Sequence, residues 1–88
     1  MLRENPKQIA SEIADGLIFF TPHHLKKFTP AELQVIEGHL QHLLVEVRGE
    51  FCAPDDFRAT QHKHQKMQRI QAAMRMLQSF RHHHHPHE

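Results

Sequence analysis

Eighty-eight residues suffice for one domain and not for two, and a core of that size is thin without reinforcement. A single cysteine, Cys52, excludes an intramolecular disulfide and matches a reducing compartment. The longest apolar run, Leu17-Ile18-Phe19-Phe20, falls far short of the roughly 20 residues that cross a bilayer, so a soluble cytoplasmic protein with no membrane attachment is expected.

The formal charge is only +1, but it is unevenly placed. Residues 1–56 hold five basic and nine acidic side chains, a net of −4, whereas residues 57–87 hold six basic side chains and no acid. Such a split suits either an anionic partner or a basic helix lying against the acidic half of its own fold or of a second copy.

Asn5-Pro6-Lys7-Gln8 reads as a helix start, with a capping residue, proline at the first helical position and glutamine at the spacing of a capping box. Ile9, Ile13, Leu17 and Phe20 continue at helical spacing, so a helix over about 6–19 is expected. Gly16 interrupts that row, and 17–20 reads alternatively as a short extended piece. Thr21-Pro22 is a second start, with room only for a short helical turn over about 22–27 before the next one.

Phe28-Thr29-Pro30-Ala31-Glu32-Leu33 holds a complete start. Thr29 is the cap, Glu32 can close the box, and Phe28 with Leu33 can form the hydrophobic staple. The helix that follows, about 30–49, carries the seam Leu33, Ile36, Leu40, Leu43 and Val47 in alternating steps of three and four. A second row, Val35, Gly38, His42 and Val45, implies packing on another side as well, with Gly38 allowing close approach. Gly49 is a natural stop.

Phe51 to Pro54 reads as a turn, and a long helix is expected over about 55–82, with Asp55 and Asp56 in its first turn. Its apolar row is weak at Phe57, Thr60, His64 and Met67, then broad at Ile70, Ala73, Met74, Leu77 and Phe80. The predicted architecture is all-α: a small helical bundle built on a long antiparallel helical hairpin, with an N-terminal helix. It forms one domain over 1–81, followed by a His-rich, disordered tail over 82–88. If both helices start level at the turn, paired residue numbers sum to about 105. Residues 75–82 then overhang, and Met76, Leu77 and Phe80 need the first helix or a partner subunit to cover them.

Function is less legible than fold. The excess of apolar side chains over what one hairpin buries points to a small non-catalytic regulatory or adaptor protein. It would act by helix-mediated protein binding, as a homodimer joined through Met67, Ile70, Met74, Leu77 and Phe80, with Arg69 and Arg75 at the rim. A second class is nucleic-acid binding through Arg58, Lys63, Lys66, Arg69, Arg75 and Arg81, though no aromatic residue interleaves with them for stacking. A third is a divalent metal site for zinc or nickel, because the level-start register sets His42 beside His62 and His64. The tail His82–His85, Pro86 and His87 would chelate metal without any fold. Catalysis is not expected, since no nucleophile, base and orienting group share a spacing; Cys52 near a helix start is insufficient.

Overall fold

A computed structural model describes residues 5–18 and 21–83. Among these described residues four helices follow in order, α1 (Pro6–Ala14), α2 (Pro22–Leu25), α3 (Pro30–Arg48) and α4 (Phe57–His83). No strand occurs among the described residues, so the fold is all-α, with α4 packed against α3 as a long hairpin.

Each proline-led start is built by local chemistry. Asn5 accepts from the Lys7 amide at 2.9 Å, and Thr21 accepts from the His24 amide at 3.2 Å. At α3 the box closes both ways: the Thr29 hydroxyl accepts from the Glu32 amide at 3.1 Å, and Glu32 accepts from the Thr29 amide at 2.8 Å. The box expected at α1 does not form, because the Gln8 side chain turns forward and donates to Glu12 at 3.3 Å. Asp55 and Asp56 stand ahead of α4 and not within its first turn. Asp56 is its cap, accepting from the Ala59 amide at 3.0 Å.

α1 is shorter than the 6–19 expected from its apolar spacing. It ends at Ala14, and Gly16 takes a left-handed φ of +77°. The Gly16 amide then donates to Ile13 O at 3.1 Å and the Leu17 amide to Glu12 O at 2.8 Å, the paired bonds of a Schellman ending. Leu17 and Ile18 leave the helix; Phe19 and Phe20 lie outside the described residues. α2 is a single turn, and its Leu25 is fully buried.

The register of the hairpin corrects the level-start expectation. Glu37 of α3 meets Gln78 at 3.5 Å, a pair whose numbers sum to about 115, and it also pairs with Arg81. Relative to a sum of about 105, α4 has slid by about ten residues, or about 15 Å. Its first turns project past the end of α3, and the connection 49–56 runs back beside them, tied by Lys63 Nζ donating to Glu50 O at 2.8 Å. The cause is the distribution of aliphatic side chains. The seam of α3 aligns with the dense late row of α4, not with its sparse early one.

That slide removes the predicted overhang of 75–82. Leu77 and Ile70 are fully buried within the single chain, and Met76 and Phe80 are half-buried against the same cluster. Ile9 and Ile13 of α1 complete it from the third side, together with Leu33, Ile36, Leu40 and Val47 of α3. No buried polar side chain interrupts this core among the described residues. His82 and His83, expected in the disordered tail, continue α4, while 84–88 lie outside the described residues.

Candidate functional site

The slid register redistributes every residue singled out as functional. Of the association residues, Ile70 and Leu77 are core, and Met67, Met74 and Phe80 are half-buried and packed on it. Neither Ile70 nor Leu77 has surface left to offer a second copy, so these two are corrected from association residues to core, because a core aliphatic cannot serve a partner without unfolding its own chain. Arg75 is exposed. Arg69 turns onto its own chain: its Nη1 donates to Ala14 O at 3.0 Å, placing the guanidinium on the C-terminus of α1.

The basic series divides in the same way. Lys63, Arg69 and Arg81 are bound to Glu50, Ala14 and Glu37 of the same chain. They neutralise helix ends and a carboxylate that the fold itself brings to them. Arg58 and Arg75 are exposed and Lys66 is half-buried, and the six side chains do not form one continuous phosphate track.

His42, His62 and His64 are not brought together. The slide carries His62 and His64 beyond the end of α3, and His42 lies exposed on α3, with Nε2 at 2.9 Å from Glu46 one turn on. Among the described residues no three His, Cys, Asp or Glu side chains converge on a metal-sized site, which corrects the three-histidine expectation on grounds of register.

What the fold does leave open is the end where α3 hands over to α4. Phe51 is 87% exposed and Phe57 is 82% exposed, on either side of the turn at Pro54 and Asp55. Between the connection and the projecting turns of α4 runs an open groove lined by Phe51, Cys52, Arg58, Ala59, His62 and Lys63. A second, more apolar groove lies where the end of α1 meets α4, lined by Ile13, Ile18, Ala72, Ala73 and Met76 beside Arg69. The outer face of α3 is the third open surface, with Val45 64% and Val35 48% exposed.

Neither phenylalanine stands out in the sequence, where Phe51 reads as part of a turn and Phe57 as the start of a weak apolar row. The available signal was a pair of aromatic side chains bracketing a polar turn, with no apolar neighbours at helical spacing to bury them. The row Val35, Gly38, His42 and Val45, whose spacing predicts packing on a second side of α3, is not covered by the chain. It is exposed throughout, and open space surrounds Gly38. Comparison with protein-family models, with curated proteins and with solved structures finds no match to this chain.

Proposed function

We propose that this chain is a non-catalytic adaptor or regulatory protein that binds another protein through the α3–α4 end. The observation that carries the reading is the pair Phe51 and Phe57, both more than four-fifths exposed although their chain has a well-formed core elsewhere. Exposing an aromatic ring forgoes about 2 kcal/mol of burial, and aromatic anchors in a polar surround are the commonest source of interface energy. Arg58, His62 and Lys63 supply such a surround on the groove beside Phe51.

The test compares two baits in native lysate, the intact chain and a Phe51→Ser, Phe57→Ser variant, with captured proteins identified by mass spectrometry. A protein retained by the first and lost with the second, at equal helical content, supports the reading. Equal retention by both baits, or retention of nucleic acid alone in a salt-sensitive manner, overturns it.

A further inference from the structure

The cleft between the end of α1 and α4 is sided along its length. On α4 it runs from Gln65 to Met76, about 16 Å of helix. Gln65, Gln68 and Arg69 stand towards one end, Ala72, Ala73 and Met76 towards the other, and Ile13 and Ile18 line the α1 side. Its volume is about 370 Å³, inside the range of about 300–1,000 Å³ usual for small-molecule sites. One end therefore offers amides and a cation, and the other offers apolar side chains.

Charge decides the kind of ligand. Among the described residues Arg69 is the one ionisable group on the walls of the cleft. Its guanidinium carries five N–H donors, and the chain engages it only through Nη1, at Ala14 O. Among the described residues no carboxylate comes within 4 Å of it, and Glu12 and Asp15, the acids at the same end of α1, do not line the cleft. The dipole at the end of α1 offsets only about half a charge, so a positive balance remains. A half-buried guanidinium with spare donors and no counter-ion selects an anion, and its planar fork suits a carboxylate.

We infer that this cleft binds a small amphiphilic monocarboxylate, a medium-chain fatty acid, with the carboxylate on Arg69 and the alkyl chain along Ala72, Ala73 and Met76. Gln65 and Gln68 flank the head group with amide donors. The tail lies between the α4 residues and Ile18, where apolar surface now faces solvent. The inference does not rest on the Phe51 and Phe57 end, with whose groove this cleft shares only Gln65.

The experiment titrates the full chain with octanoate and follows backbone amide chemical shifts. Saturable shifts at residues 13–18 and 65–76 are expected, with a Kd of about 0.1–1 mM. Octylamine and 1-octanol keep the tail and lose the anion, and acetate keeps the anion and loses the tail. Each should bind at least about tenfold more weakly than octanoate. Arg69→Met removes the cation, and Ala72→Phe fills the cleft from an exposed position that the core does not use. Either substitution should weaken octanoate by at least about tenfold at unchanged helical content. The inference is overturned by no shift at about 5 mM octanoate, by shifts confined to residues 51–63, or by octylamine or octanol binding as well as octanoate. Octanoate affinity that survives Ala72→Phe overturns it as well, whatever Arg69→Met does to the fold.

Discussion

The Arg69 guanidinium caps the end of α1, its Nη1 at 3.0 Å from Ala14 O and its Cζ 2.9 Å from where a Cβ on Gly16 would stand. A residue deep in the longest helix thus answers the free carbonyls and negative dipole end of the short N-terminal helix. The same contact explains why the chain turns at Gly16. The left-handed conformation and the nearness of Arg69 both favour a residue with no side chain. Arg69→Met should therefore lower stability by about 1–2 kcal/mol through loss of a charged hydrogen bond, read as an earlier urea midpoint with unchanged slope. A change within error would mean that solvent serves Ala14 equally well.

Two glycines should respond with opposite signs. Gly16→Ala meets a positive φ and a guanidinium, and a loss of about 1–3 kcal/mol is expected, part of it relieved when Arg69 is shortened in the same chain. Gly38→Ala lies in the interior of α3 with open space around it, so helix propensity alone should raise the stability of the single chain by about 0.5–1 kcal/mol. Thermal unfolding of the two variants compares them directly. A loss at Gly38 would mean that this part of α3 is not the open helix surface described above.

Leu77 tests the register. With its side chain fully buried in one chain, Leu77→Ala should cost about 2–5 kcal/mol. Leu77→Asp should unfold the protein rather than yield a smaller folded particle. Circular dichroism together with light scattering separates the outcomes, and a folded single chain carrying Asp at 77 would return that helix to the surface.

Glu37 is held by Arg81 and Gln78, with its side chain 13% exposed and that of Arg81 43% exposed. The partial exposure of Arg81 limits the pair to a coupling of about 0.5–1 kcal/mol in a double-mutant cycle of Glu37→Gln and Arg81→Gln. Coupling that persists in 1 M salt at about the same size would show the pair to be better shielded than its exposure implies.

Phe51→Ser and Phe57→Ser should each change stability by less than about 0.5 kcal/mol, since rings this exposed contribute little to their own core. A larger loss in either variant would show that the ring is packed in solution and would remove the main support for a docking role at that end.

Local chemistry alone was enough to determine where α1, α2 and α3 begin. Thr29 with Pro30 and Glu32, Thr21 with Pro22, and Asn5 with Pro6 satisfy their own helix ends within a few residues, so no distant partner enters. Periodicity likewise marked Leu33, Ile36, Leu40 and Val47 as buried, since a 3.6-residue repeat puts one stripe on one side whatever lies there. The sliding of α4 along α3 could be settled only between the elements. A helix surface offers similar grooves at every turn, and the choice among them belongs to the whole aliphatic cluster, including Ile9 and Ile13 from the far end of the chain. That choice buried Leu77, parted His42 from His62 and His64, turned Arg69 inward onto α1, and left Phe51, Phe57 and the outer stripe of α3 facing solvent. Caps and stripes are short-range properties of a chain, whereas register is a sum over contacts between segments that are remote in sequence.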